Sequence, residues 1–159
     1  MRRLRPRIAF LAAVALGGAA PAEPQIDVSS MTFLSGHCER LTFAGRDLSG
    51  ECRGTLVNIA YRSGRTSFAF SGDGMMLSSS GIGEPIGDRD GALVLDLVTL
   101  AAHGTATNVD VAPEAATGRC EYSNPYGGAA SIRCAATFRS GEARAVFTTD
   151  GGTPERRDF

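Results

Sequence analysis

Four cysteines constrain this chain more than any other feature of its sequence. They form two pairs, Cys38 with Cys52 and Cys120 with Cys134, and the members of each pair bracket thirteen residues. A glycine lies at the midpoint of each bracketed segment. A hairpin folded about that glycine would place its two cysteines opposite each other on neighbouring strands. We therefore predict two disulfides, Cys38–Cys52 and Cys120–Cys134, each contributing about 3 kcal/mol of stability.

Two other uses of the cysteines have to be weighed. Four cysteines allow three disulfide connectivities in principle, and cysteines can also bind metal. Zinc sites usually hold cysteines in pairs two to four residues apart, and the chain has no Cys-x-x-Cys motif. The spacing favours disulfides, which persist in an oxidising compartment.

The first 22 residues have the pattern of a cleavable export signal. Four arginines precede an apolar run of thirteen residues, 8–20, and small residues at Ala20 and Ala22 precede Glu23. Thirteen residues are too few to span a bilayer, which takes roughly 20. We predict cleavage after Ala22 by the general secretory route, with no membrane insertion afterwards. The expected location is the periplasm or the extracellular space.

Composition limits the partners of the mature chain. All sixteen basic residues are arginine, and the abundance of glycine and alanine is typical of a bacterial protein. After cleavage, the chain has twelve arginines and seventeen acidic residues, which gives a formal charge of −5. A mildly acidic protein is repelled by nucleic acid and by anionic lipid. Neither is an expected partner.

The mature chain is patterned as strands. Segments with strand-like alternation or a short apolar run recur between glycine-rich turns, at 54–61, 66–71, 75–77, 92–100, 105–111, 118–122, 130–138 and 143–149. No segment shows a sustained helical period with capping residues. We predict one all-β domain over residues 23–152, an antiparallel β-sandwich or a small barrel, followed by an unpaired tail at 153–159.

An internal repeat is one interpretation of the recurring motifs. The residues around Cys38 and Cys52 recur around Cys120 and Cys134 at a constant offset of 82, and an Arg-Ser-Gly turn follows each pair. A duplicated unit would give two pseudo-symmetric halves. The alternative is that turn and strand residues recur by chance.

The tip of the second cysteine hairpin is the candidate recognition surface. Tyr122, Asn124 and Tyr126 lie in it, beside the predicted Cys120–Cys134 bridge. Tyrosine offers a large contact area at a small entropic cost, so a rigid loop that carries two tyrosines suits binding. The competing interpretation is an ordinary turn whose tyrosines cap the core.

The longest irregular stretch, 78–91, carries three acidic residues. Glu84, Asp88 and Asp90 resemble part of a calcium loop, but the third ligand and the distant glutamate of the full loop are missing. Aspartate and glycine are also the residues that a turn requires. These three are weak metal candidates, and we predict no metal site.

Catalytic groups are few. His37 and His103 are the only histidines, and nothing in the sequence brings them together. Carboxylates could support a hydrolase, with Asp88, Asp90 and Asp96 as candidates. Asp96 interrupts an apolar strand, where its pKa is raised if it is buried but not if it faces solvent.

The function that we expect follows from these patterns. The chain has no nucleophile motif, phosphate loop or dinucleotide fingerprint, so no cofactor is expected. We expect an exported, non-catalytic binding module that recognises another envelope or extracellular protein. The alternatives are a small envelope hydrolase and a purely structural component of the envelope.

Overall fold

The structure is a computed structural model that describes residues 27–103, 108–110 and 113–159, with side chains described outside 102–112. The predicted signal peptide lies outside the described residues, as does most of the predicted strand at 105–111. Within the described residues, no helix is long and apolar enough to cross a membrane.

The described chain is almost entirely β-strand. The strands are β1 Val28–Phe43, β2 Arg46–Asp47, β3 Cys52–Tyr61, β4 Arg65–Gly72, β5 Met75–Ile82, β6 Gly91–His103, β7 Asn108–Asp110, β8 Glu114–Tyr122, β9 Ser131–Phe138, β10 Gly141–Thr149 and β11 Glu155–Asp158, with a single 3₁₀ turn at Ser49–Glu51. The all-β class is confirmed.

Eight of these strands close into an antiparallel barrel. Their order around the ring is β1, β3, β4, β5, β6, β8, β9 and β10, and β10 pairs again with β1. Of the two architectures predicted, the barrel is the observed one. The short strands β2, β7 and β11 pair with members of the ring.

Strand β1 closes the ring because it pairs with two neighbours in turn. Residues 28–35 pair with β3, and residues 36–43 pair with β10. At the change of partner lies Gly36, where a Cβ atom would overlap the carbonyl oxygen of Thr148 on β10. Only glycine allows the two backbones to approach this closely.

The pattern of β1 explains why the sequence did not predict it. Its inward residues near the N-terminus are polar and buried, namely Ser30 and Thr32, whereas Met31 and Phe33 point outward. This arrangement inverts the usual alternation of apolar residues facing in and polar residues facing out. The inward residues become apolar only from Leu34 onward.

Both predicted disulfides are present, Cys38–Cys52 and Cys120–Cys134. Cys120 is the direct cross-strand partner of Cys134, as the hairpin geometry predicted. For the other bridge that geometry is wrong, because Cys38 lies opposite Phe147 of β10 and Cys52 lies opposite Gly72 of β4. The two disulfide hairpins begin five strand positions apart in the ring of eight. The two motifs thus divide the ring unequally, with five strands from β1 to β6 and three from β8 to β10, and the duplication stays a prediction.

Two segments differ from the sequence prediction. Glu155–Asp158, expected in the unpaired tail, forms β11 and pairs with Ser30–Phe33 of β1. Arg157 also lies over the ring of Phe33, 5.2 Å from its centroid. All four residues of β11 are exposed, so they give no alternation to detect. In addition, β5 extends to Ile82, so the irregular stretch is 83–90 rather than 78–91.

The outer wall of the barrel differs from side to side. Across β3 to β6 it is mainly aliphatic or hydroxylated, and Ser67 and Ala69 of β4 point outward while only 2% and 1% exposed. The Ser67 and Ser78 hydroxyls lie 2.5 Å apart on this side. Across β8, β9 and β10 the outward residues are rich in arginine and glutamate, most of them exposed.

The double substitution Cys120→Ala and Cys134→Ala is expected to lower the free energy of unfolding by about 3 kcal/mol, because the bridge restricts the unfolded chain. Urea unfolding of the oxidised proteins measures the loss. The matched variant Cys38→Ala with Cys52→Ala removes a bridge that closes a loop of the same length, a sequence separation of 14, and should lose a similar amount of stability. A loss below about 0.5 kcal/mol in both variants would contradict this account.

Candidate functional site

Two loops meet at one end of the barrel. Loop 83–90 joins β5 to β6, and loop 123–130 joins β8 to β9; both connections lie at the same end because the strands alternate in direction. The carboxylate of Asp90 accepts a hydrogen bond of 2.8 Å from the backbone N–H of Asn124. The two loops are therefore held against each other, and we call this end of the barrel the loop end.

Loop 83–90 is also anchored inside the barrel. Ile86 is 1% exposed, and its backbone N–H donates to Oδ1 of the buried Asn58, at 2.9 Å. Nδ2 of Asn58 donates to the carbonyl of Ser67, at 3.1 Å. The Thr66 hydroxyl donates to the carbonyl of Gly83, at 2.7 Å. Buried side chains thus satisfy backbone groups of the loop that would otherwise be buried without a hydrogen-bond partner.

Loop 123–130 is fixed at both of its ends. The backbone N–H of Ser131 donates to the Ser123 hydroxyl, at 2.9 Å. The backbone N–H of Ala130 donates to the Thr149 hydroxyl, at 2.8 Å. The Cys120–Cys134 bridge joins the two strands that carry this loop. The tip is consequently a rigid feature of the barrel.

A polar cleft of about 280 Å³ opens at the loop end, lined by residues 84–85 and 87–92 and by Tyr122. The ring of Tyr122 packs at a centroid distance of 5.5 Å from Phe68 of the core. Burial raises the pKa of the Tyr122 hydroxyl, and the negative charge of Glu84 raises it further. Tyr122 therefore stays protonated at neutral pH and can donate a hydrogen bond within the cleft.

The structure separates the three residues of the candidate recognition surface. Tyr122 lines the cleft, but Asn124 and Tyr126 do not. Oδ1 of Asn124 accepts a hydrogen bond of 2.8 Å from the backbone N–H of Tyr126, which shapes the tip as an Asx turn. Tyr126 is 40% exposed. Asn124 thus organises the loop, and Tyr126 is the tip residue that is free to make contacts.

The three acidic candidates have separate environments. Asp90 bonds to Asn124 as described, and Glu84 lies 3.5 Å from Arg89 at the surface. All three acidic residues line the cleft. However, the described part of the chain has no group of three or more histidine, cysteine or acidic side chains that could hold a metal ion.

Asp96 is engaged in an ion pair on the outer wall. Its two carboxylate oxygens accept hydrogen bonds of 2.6 and 3.0 Å from the guanidinium of Arg65. These bonds lower the pKa of Asp96. Of the two alternatives considered from the sequence, the exposed position is the observed one. Asp96 occupies an irregularity in β6, where the register with β8 shifts between Leu95 and Leu97.

The histidines are not brought together in what the structure describes. His37 is exposed on the outer wall, where it pairs with Thr148 of β10. The side chain of His103 lies outside the described residues.

The sequence did not reveal a second site, an arginine-lined groove of about 290 Å³ on the outer wall. Its arginines are Arg40, Arg119, Arg133 and Arg144, from β1, β8, β9 and β10. They are spread over more than a hundred residues of sequence and form no basic run. In the sequence, each of these arginines occupies an outward-facing position of its own strand. Their proximity cannot be predicted from that position alone, because it also depends on which strands pair.

Comparison with known proteins gave no relative. The chain matches no family model, no curated protein and no solved structure. The interpretation of these sites therefore rests on their geometry.

Replacing Asn58 by alanine is expected to lower the free energy of unfolding by about 2–3 kcal/mol, because the buried N–H of Ile86 and the carbonyl of Ser67 lose their partner. Amide hydrogen exchange at Ile86 should become faster in Asn58→Ala than in the wild type. The control Asn124→Ala removes a bond at the surface and should cost less than about 1 kcal/mol. Unchanged protection of Ile86 in Asn58→Ala would show that Asn58 does not anchor the loop.

Proposed function

We propose that this protein is an exported, non-catalytic binding module that recognises another protein of the envelope or extracellular space through its loop end. The two disulfides are compatible with an oxidising compartment. The N-terminal sequence has the pattern of an export signal.

The observation that carries the proposal is the bracing of the loop end. Loops 83–90 and 123–130 are bonded to each other through Asp90 and Asn124, and loop 83–90 is tied to the barrel interior through Asn58. A surface that is already ordered loses little conformational entropy when a partner binds. Such bracing favours recognition over a role as a passive structural component.

The chemistry of the loop end indicates the kind of partner. Tyr126 offers an exposed aromatic contact on loop 123–130, and aromatic side chains are enriched in the central contacts of interfaces. The cleft carries three carboxylates and one arginine, from Glu84 to Asp90. Its net negative charge fits a protein segment that presents a basic side chain.

The hydrolase alternative is less well supported. A general acid needs a pKa near the working pH, whereas hydrogen bonds from Arg65 lower the pKa of Asp96. Asp90 is bonded within the loop end, and His37 is remote from the cleft, on the outer wall. Among the described residues, no pair of these candidates forms an acid–base couple.

Affinity capture with the mature, oxidised domain tests the recognition surface. A specific partner retained by the wild type should be lost, or weakened by roughly 30-fold, with Tyr126→Ala, because central aromatic contacts often contribute 2 kcal/mol or more. Phe159→Ala is the matched control, since Phe159 is another exposed aromatic residue. Equal retention by both variants would place the recognition surface elsewhere, and loss with both would indicate non-specific adsorption.

Replacing Asp96 by asparagine is expected to cost about 0.5–1 kcal/mol of stability at neutral pH, since the ion pair is largely exposed. The pKa of Asp96 is lowered in the folded protein, so this stabilisation is present above the unfolded pKa of about 3.9 and is lost as the pH falls through the folded pKa. Thermal unfolding of both proteins should therefore converge in strong acid. A difference that grows on acidification would contradict this role for Asp96.

A further inference from the structure

The arginine groove has a regular arrangement that follows from the strand register. One cross-strand row contains Glu121, Arg133, Val146 and Arg40, and the next contains Arg119, Ala135, Arg144 and Thr42. The four arginines therefore alternate between two adjacent rows as the wall is crossed from β8 to β1. Diagonal neighbours of this kind have Cβ atoms about 7–8 Å apart. The arginines form a zigzag that spans three strand spacings, about 14 Å.

The positive charge of the groove is only partly compensated. Arg119 pairs with Glu121 at 3.1 Å, and Arg144 pairs with Glu142 at 3.0 Å. Arg133 donates from Nε to the hydroxyl of Ser131, which carries no charge. Two of the four arginines are thus paired with a glutamate, and Glu39 also lies on this wall, where its carboxylate accepts a hydrogen bond from the Thr148 hydroxyl.

Arg40 lies at the β1 end of the zigzag and makes no ion pair within the part of the chain that the structure describes. Its charge does contribute to lowering the pKa of Asp47, after the larger contribution of the hydrogen bonds with Ser49. Asp47 already accepts these bonds from the Ser49 hydroxyl and backbone N–H. The guanidinium of Arg40 is therefore available to an external anion.

The surface between the arginines limits the kind of anion. Small or aliphatic side chains separate them, Ala135 in one row and Val146 in the other, and no aromatic residue lines the groove. Proteins that bind single-stranded nucleic acid stack bases on aromatic side chains. Insertion into a membrane would need exposed apolar anchors, which this row of arginines does not provide. An extended, hydrophilic polyanion suits this surface better.

We propose that the arginine groove binds a linear sugar polymer that carries phosphate or sulfate groups. Arginine holds such oxyanions through paired N–H donors, and the zigzag presents successive guanidinium groups along one line. The inference concerns a surface distinct from the loop end, so it goes beyond the proposed recognition of a protein. It shares with that proposal only the expectation of export, which gives access to anionic polysaccharides.

Binding of the mature, oxidised protein to dextran sulfate and to dextran phosphate tests the groove, with neutral dextran as the blank. Titration calorimetry should detect binding to one or both anionic polymers. If four cations are neutralised, the affinity should fall roughly 50- to 150-fold between about 50 and about 200 mM salt. The single variant Arg133→Gln should reduce the slope of this dependence by about one.

A matched pair of quadruple variants separates the groove from net charge. The groove variant should abolish binding; it combines Arg40→Gln, Arg119→Gln, Arg133→Gln and Arg144→Gln. The control variant removes the same charge outside the groove and should keep most of the binding; its substitutions are Arg53→Gln, Arg62→Gln, Arg139→Gln and Arg156→Gln. Circular dichroism establishes that both variants are folded. Equal loss in the two variants, or retention by the groove variant, would overturn the proposal.

Two further probes identify a competing ligand. Tighter binding to a single-stranded oligonucleotide, or to phosphatidylglycerol vesicles, than to either dextran derivative would assign the groove to nucleic acid or to lipid and overturn the sugar-polymer proposal. Tyr126→Ala should bind the anionic dextrans as the wild type does. The protein-recognition proposal is thus tested by Tyr126→Ala and the sugar-polymer proposal by the groove variant. Either proposal can be contradicted without the other.

Discussion

The closure of the ring by β1 is the constraint on which the rest of the structure depends. One strand of sixteen residues pairs first with β3 and then with β10. The close approach of backbones at Gly36 permits that change of partner. Two short strands also pair with β1: β2 pairs with Thr42 and Phe43, and β11 pairs with residues 30–33. Because hydrogen bonding continues around the ring, the eight ring strands leave no long open edge in the part of the chain that the structure describes.

Closure also determines what each end and each side of the barrel can do. Apolar side chains such as Leu41, Phe70 and Phe147 are fully buried, whereas the interior towards the loop end contains hydroxyl groups and Asn58. These polar groups hold the backbone of loop 83–90, which packed apolar side chains could not do. The same closure brings β10 beside β1 and so completes the arginine groove. The two candidate sites are thus different consequences of one topology.

A strand could be predicted from the sequence where buried apolar residues alternate with exposed residues, and not where that alternation is inverted or absent. In β9 buried and exposed residues alternate from Ile132 to Phe138, and the predicted segment 130–138 matches the strand closely. In the first part of β1 the hydroxyl residues Ser30 and Thr32 face inward and the apolar residues Met31 and Phe33 face outward, so the alternation there gave no usable signal. In β11 every residue is exposed, and backbone pairing with β1 alone defines the strand. At the loop end, Tyr122 and the acidic residues were identified from the sequence, but their shared cleft was not.

The sequence by itself determined the all-β class and the two disulfides, because strand alternation is a local pattern and the cysteines of each bridge are close along the chain. Only the tertiary structure decided the barrel closure, the pairing of loops 83–90 and 123–130 through Asp90 and Asn124, and the arginine groove. Arg40 and Arg133 are distant in sequence, and both flank Val146 once β10 lies between β9 and β1. Such neighbours depend on the order and register of whole strands, which arise from the packing of the complete core and not from any local pattern.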